Sequence, residues 1–308
     1  MKNEKFFKSW KSHEGEIEAS SNGFDVINCK VCGFKHIIPI PTIEELEDTY
    51  RHDYYNQEKP LYLERYQEDL DWWNMVYTRR YEILENFLPV NRRSLLDIGS
   101  GPGYFLLNGQ KRGWVVKGME PSVRAMEYAR TLGLDIDCNF YSERTAAELG
   151  SFDAVNISLV LEHIPDPYHF MKLIRGQLRG DGVVTVVVPN DFNPLQLVLR
   201  DDLGYSPWWV APPHHINYFN FESLAHLLDK SGFEILHQES TFPIDIFLLM
   251  GDNYIADDEV GRACHIRRMN FEKAILMSSN KDFLTKMYNL FSSENLGREV
   301  VMYARIKK

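Results

Sequence analysis

Ser94-Leu95-Leu96-Asp97-Ile98-Gly99-Ser100-Gly101-Pro102-Gly103-Tyr104-Phe105 is the stretch on which the fold turns. Leu95, Leu96 and Ile98 make a short apolar run, as in a strand covered on both faces. Gly99, Gly101 and Gly103 then fall at every second position. A turn built this way has no Cβ atoms to keep a ligand off the backbone. Its N–H groups, and the start of the helix that follows, favour a negatively charged ligand group. Asp97 ends the strand, placed to hydrogen-bond a ligand amine or the turn itself. The spacing is Asp-x-Gly-x-Gly-x-Gly, not the G-x-G-x-x-G of dinucleotide sites. A second strand, 114–119, ends at Glu120, where a ribose-binding carboxylate belongs, roughly 20 residues on. A nucleoside carrying an amino-acid tail fits both features, with its carboxylate at the glycines and its ribose on Glu120.

Outward from this turn, strands and helices alternate. Strand 94–98 leads to a helix ending near 111, and strand 114–119 to a helix over 122–132 opened by Pro121 and Ser122. A weak strand at 135–138, a strand at 153–157, a helix at 167–179 and a strand at 182–188 follow. Such alternation predicts a parallel, doubly wound sheet. Ligands bind at the carboxyl ends of such strands, so Ser158 to Asp166 should line the site.

These motifs resemble those of the class I S-adenosylmethionine-dependent methyltransferases. Leu95–Gly103 is similar to their first motif and Met119-Glu120-Pro121-Ser122 to their ribose-binding strand end. Phe152–Pro167 and Gly180–Asn190 resemble the fourth and fifth strands with their loops. The resemblance implies an α/β fold with a doubly wound, mostly parallel, seven-stranded Rossmann-like sheet, closed by an antiparallel pair (here 233–242 and 298–306). It implies S-adenosylmethionine over Asp97, Gly99, Ser100, Gly101 and Gly103, with ribose at Glu120 and Pro121. Adenine would lie near Asn139 and Phe140, where the family's usual acidic residue is missing, and Ser158 and Leu159 would end the site. The expected activity is methyl transfer to a small-molecule acceptor, with a sugar or glycan precursor suggested by the amino-terminal module described below. Three alternatives stay open: an NAD-linked oxidoreductase, a non-catalytic zinc-bearing binding module, and a methyltransferase acting on protein.

Three histidines are candidate bases. His163, in Leu161-Glu162-His163-Ile164-Pro165, follows a strand end on the ligand-binding edge, and an unperturbed imidazole suits proton transfer near neutrality. The bland alternative is that Glu162 and His163 only shape the loop. His214 and His215 belong to the stiff stretch 204–219, with two tryptophans and three prolines, which leaves the fifth strand beside the expected cofactor. Such loops hold acceptors; the alternative is a packing loop that braces the next helix, 221–231, capped by Asn220.

Residues 1–60 read as a small module preceding a methyltransferase domain at 61–308. Phe24–Cys29 is strand-like and runs into Cys29-Lys-Val-Cys32-Gly33. Two thiolates on a tight turn relieved by glycine have the shape of a zinc knuckle, and His13 and His36 would complete four ligands. The alternative is an ordinary reduced cysteine pair at a hairpin. The resemblance also covers family members with an amino-terminal cysteine-rich zinc module, from which this chain departs in having a single cysteine pair. Thr42 and Glu45 make a capping box. Tyr50, Tyr54, Tyr55, Tyr62 and Tyr66 follow, and 61–88 has helical spacing with Tyr66, Trp73 and Tyr77 on the apolar face. The rings are read as a helix face packing on the core, with the alternative that some of these tyrosines wall the pocket. A segment at about 243–297, helix-like over 257–292, is inserted before the last strand and is read as a helical cap or an oligomer contact. Its Arg262, His265, Arg267 and Arg268 would meet an anionic acceptor group or form a solvated face.

The chain has 308 residues, 44% of them hydrophobic, and a net charge of −10. That supports a sizeable core and disfavours nucleic acid as a partner. No apolar run is long enough for a membrane span. Four cysteines make no disulfide framework. The expected compartment is the cytoplasm.

Overall fold

The computed structural model describes residues 6–42, 45–46 and 62–308. Two sheets organise them. The larger has seven strands: β5 (Ser94–Ile98), β6 (Val115–Met119), β7 (Ile136–Asp137), β8 (Phe152–Ser158), β9 (Leu178–Pro189), β11 (Phe233–Ser240) and β12 (Glu299–Ile306). Their order is β11-β12-β9-β8-β5-β6-β7. The strands from β9 through β7 run parallel, and β12 is antiparallel to both β9 and β11. This is the doubly wound, mostly parallel sheet with a closing antiparallel pair. β7 keeps only two residues of the stretch read as 135–138, because Asp135, Asp137 and Cys138 give it little apolar surface to bury.

Alternate side chains of β5 enter opposite cores, as period-two geometry requires. Leu96 and Ile98 meet Val155, Ile157, Val184 and Val186, and the helices Pro167–Gln177 and Phe221–Lys230 cover them. Leu95 meets Ala154, Val183, Val187 and Tyr303 under the helices Leu70–Phe87 and Tyr104–Lys111. Each such fully buried valine or leucine stabilises the fold by about 1.5–3 kcal/mol.

The smaller sheet is an antiparallel meander of β1 (Phe7–Trp10), β2 (His13–Ser21), β3 (Phe24–Cys29) and β4 (Lys35–Ile38). Its fifth strand comes from far along the chain: β10 (Asn217–Tyr218) pairs with β4, Asn217 opposite His36 and Tyr218 opposite Lys35. Of the first four strands the sequence pattern shows only β3, since β1 and most of β2 are charged or solvent-facing. Trp209, Phe192 and Tyr218 pack with Val26 and Ile37, so the tryptophan-rich loop glues the two sheets together.

Two stretches read as single helices are broken. The 61–88 stretch forms Tyr62–Glu68 and Leu70–Phe87, interrupted at Asp69. The Asp69 carboxylate is drawn away to Arg262, at 2.6 and 2.7 Å, and to His265 at 3.1 Å. The 257–292 stretch forms Asp258–Leu276 and Asp282–Ser293. Between them Ser278 donates its hydroxyl to the Ile275 carbonyl and accepts from Asn280 N–H, the local competition that ends helices. The Thr42–Glu45 capping box makes both its bonds. Tyr50, Tyr54, Tyr55 and the side chain of Tyr62 lie outside the described residues, as does the boundary at residue 60. No helix among the described residues is long and apolar enough to cross a membrane.

Candidate functional site

A cavity of about 1060 Å³ opens at the carboxyl ends of β5, β6 and β8. The glycine turn forms one end. Gly99 N–H and Ser100 N–H both donate to the Met119 carbonyl, which folds the turn over the end of β6. Gly99 has a φ of +72° and an added Cβ would strike Val160 at 2.5 Å, so no other residue fits without shifting that loop. Gly99, Ser100, Gly101 and Pro102 line the cavity. Gly103 has another role: with a φ of +81° it starts the helix Tyr104–Lys111, and a Cβ there would meet Leu134 at 2.5 Å.

Glu120 is buried and accepts from Gly101 N–H at 2.8 Å and from Ser122 N–H at 2.9 Å. Asp97, also buried, accepts from the Asn156 amide at 2.6 Å. Burial pushes both carboxyls up to about 7, against the pull of those hydrogen bonds. The Glu120 charge raises Asp97 further, and Arg80 lowers it. A folded pKa raised above the unfolded one gives stability that is present at low pH and lost as pH rises through about 7. Each group is therefore expected to cost about 3–4 kcal/mol in all, lost as pH rises from about 4 to about 7. The melting temperature of the ligand-free protein should fall from about pH 5 to about pH 7.5, and Glu120→Gln should flatten that slope. An equal slope in wild type and variant would exclude Glu120 as its source.

Pro121, Asn139, Phe140, Tyr141 and Ser142 form a second wall beside β7. Ser158 and Leu159 close the end of β8. The lining also includes rings that stack in series: Tyr104 on Tyr66 at 5.0 Å, Tyr66 on Trp73 at 4.7 Å, and Trp73 on Tyr77 at 5.4 Å. All four line the cavity. Arg80 reaches the same wall from the helix Leu70–Phe87, buried between Ser158 Oγ at 3.4 Å and Glu299 at 3.5 Å. Arg262 and His265 also face the cavity, already paired with Asp69. Arg268 is buried against Glu272, and Arg267 pairs with Asp252 at the surface.

His163 lies on the short 3-10 turn Leu161–His163 after β8 and lines the cavity. Its Nδ1–H donates to the His214 carbonyl at 2.7 Å, so in the neutral ring Nε2 carries the lone pair. His215 stands edge-to-face on His163, with ring centroids 5.1 Å apart. Neither His214 nor His215 is among the described cavity-lining residues. The structure thus brings His163 to the chamber and sets the other two behind it.

His13, Cys29, Cys32 and His36 converge in the smaller sheet, each offering one donor atom within 4.8 Å of the others. A tetrahedral zinc with arms of about 2.0–2.3 Å sets its ligands about 3.3–3.8 Å apart. His13 Nδ1 stands 3.3 Å from Cys32 Sγ and 3.7 Å from Cys29 Sγ. His36 donates Nδ1–H to the Ile37 carbonyl, and its buried Nε2 has no hydrogen-bond partner among the described residues. Hydrogen bonding from Cys32 holds the Cys29 thiol well down, and the same partner together with burial pushes Cys32 up. Gly33, at a φ of +77°, turns the knuckle against His226. The donor set and spacing fit zinc.

Arg80 and Asn156 were not singled out by sequence reasoning. Each left a trace: Arg80 is a charge at the i+3 position from Tyr77 on an aromatic helix face, and Asn156 a polar residue inside an apolar strand.

The sequence from residue 68 to 238, over half of the chain, matches the family profile described as a methyltransferase domain. The chain belongs to that family, the class I S-adenosylmethionine-dependent methyltransferases. It is 30% identical to a ubiquinone biosynthesis O-methyltransferase of Histophilus somni (strain 2336), over 35% of this chain and 49% of that protein. It is 29% identical to the Caulobacter vibrioides enzyme of the same name, over 41% of this chain and 53% of that one. The chain thus spans about half the length of the curated relatives it matches. Among solved structures, a SAM-dependent methyltransferase from Archaeoglobus fulgidus is 18% identical, with a TM-score of 0.48, over 75% of this chain and 93% of that one.

Proposed function

We propose that the protein methylates a hydroxyl oxygen of a small, ring-bearing molecule. The observation that carries this reading is one chamber lined both by the glycine turn and Glu120 and by His163, Arg80 and stacked rings. Its volume is that of a small-molecule site. Gly99 to Gly101 and Asp97 would hold the amino-acid tail of S-adenosylmethionine, Glu120 and Pro121 its ribose, and Asn139 and Phe140 its adenine. The buried, ligand-facing Glu120 and the Cβ-free turn suit such a molecule. When bound, it supplies a methyl group activated on a sulfonium.

The protein's own work is alignment and proton removal. Tyr66, Trp73 and Tyr77 offer a flat face to a phenolic ring or to the apolar side of a sugar. Arg80 stands ready to bind an acceptor oxygen. His163 Nε2 takes the hydroxyl proton, its ring held in the right tautomer by the His214 carbonyl. The choice of oxygen is supported by the Histophilus somni and Caulobacter vibrioides relatives, both O-methyltransferases by name. The cluster of His13, Cys29, Cys32 and His36 is read as a structural zinc site, since four protein donors leave no open position.

His163→Ala should lower kcat by about 10²–10⁴ and leave the Kd for S-adenosylmethionine unchanged. The assay is methyl transfer from radiolabelled S-adenosylmethionine into a fractionated extract, with phenolic and sugar standards to separate the two acceptor classes. Label confined to protein or polymer would overturn the small-molecule reading. Unchanged turnover in the variant would remove His163 as the base.

A further inference from the structure

We infer that Asn217 is a positioning residue that couples the Cys₂His₂ cluster to the turn carrying His163, so that zinc in the smaller sheet sets methyl transfer without setting cofactor affinity. This deepens the function proposed above and rests on it for its kinetic arm. The path is a run of named hydrogen bonds. His36, one of the four donors, lies on β4 directly opposite Asn217 on β10. Ile37 N–H donates to the Ile216 carbonyl at 2.9 Å. Ile216 N–H in turn donates to the Glu162 carbonyl at 2.8 Å, within the turn that holds His163.

Asn217 secures that turn from its other side. Its amide donates to the carbonyls of Leu161 at 3.0 Å and Ile164 at 2.7 Å, bracketing Glu162 and His163. The side chain is buried, so each carbonyl would lose its partner to no nearby solvent. The same loop reaches the His163 ring through the His214 carbonyl. Backbone and ring of His163 are therefore both set by residues 214–217.

β10 has only two residues, held between β4 and this turn. A strand so short has little stability of its own and takes the order of its neighbour. β4 in turn ends the knuckle. Cys32 is tied to the main domain as its carbonyl accepts from Tyr168 Oη at 3.0 Å, and Phe34 packs on Phe219 at 5.1 Å. Metal at the knuckle fixes β4, β4 fixes β10, and β10 fixes the turn. The glycine turn and Glu120 lie outside this path, just past the ends of β5 and β6.

The experiment compares zinc-loaded and chelator-stripped full-length protein, wild type and Asn217→Ala. Amide hydrogen exchange reads the coupling without any acceptor. In wild type, stripping zinc should raise exchange at 161–164 and 215–218 by about tenfold or more and leave 99–103 unchanged. In Asn217→Ala the 161–164 amides should already exchange fast with one zinc bound, and stripping should change them little. Where an acceptor is turned over, kcat should fall about tenfold or more in both cases at constant Kd for S-adenosylmethionine. Asn217→Ser, with zinc content and cofactor Kd as checks on folding, serves if the alanine variant is unstable. Exchange that rises only in β1–β4, or equally at 99–103, overturns the coupling, and so does a protein that binds no zinc. Absence of methyl transfer alongside the expected exchange pattern overturns the proposed function and leaves the coupling standing.

Discussion

Glu120→Ala is expected to weaken S-adenosylmethionine binding at least about a hundredfold while the chain stays folded. The carboxylate does two things at once. It holds the glycine turn to the end of β6 through Gly101 N–H and Ser122 N–H, and it faces the chamber where ribose hydroxyls would arrive. Removing it leaves two backbone donors without their acceptor and takes away a charged one, each worth about 1.5–3 kcal/mol. Either loss alone accounts for a tenfold or greater effect. The sheet beneath is packed independently by Leu95, Leu96 and Ile98, so the fold should survive. Titration calorimetry reads the affinity and circular dichroism the fold. Gly101→Arg, at a φ of +52°, should give the same loss by filling the cradle. Binding within a few-fold of wild type in both variants would remove this end of the chamber as the cofactor site.

Chelation of the protein, or Cys29→Ser, is expected to release one zinc and lower the melting temperature of the smaller sheet. Structural zinc contributes about 10–16 kcal/mol in isolated zinc-finger peptides. The effect here should be smaller, because Val26, Ile27, Ile37 and Ile38 already give β3 and β4 a buried core. Several kcal/mol would still separate the loaded and stripped forms. Metal analysis, a thermal melt and limited proteolysis within residues 6–38 check this together. Cys138→Ser and Cys264→Ser should leave the metal in place, since neither cysteine belongs to the cluster. A protein purified without zinc, with the same melt before and after chelation, would reduce the cluster to an ordinary cysteine pair.

The centre of the large sheet was legible because β5, β8 and the Val183–Val188 run of β9 are buried on both faces and so read as apolar runs. The glycines after β5 marked the ligand edge because a positive-φ turn that must approach a ligand tolerates little else. The convergence of His13 with Cys29, Cys32 and His36 could be guessed from the knuckle alone. What made it structural, the pairing of β2 with β3, is written in register rather than in composition. β10 was illegible. Two residues carry no periodic pattern, and their partner β4 lies far away in sequence. Arg80 escaped notice because a helix face full of rings was read as packing. A lone charge on that face gains meaning only when the opposite wall, with Ser158 and Glu299, is seen.

The strand borrowed from residues 217–218 also sets an order of events during synthesis. All four donors of the cluster precede every strand of the large sheet, so the meander can assemble before that sheet does. The partner for its open edge is made on the order of ten seconds later, once the first five strands of the large sheet have emerged. In that interval β4 presents unpaired backbone groups, a template for the wrong partner. The small sheet is thus begun before the large one and closed only after the large sheet's five parallel strands have been made, with β11 and β12 still to come.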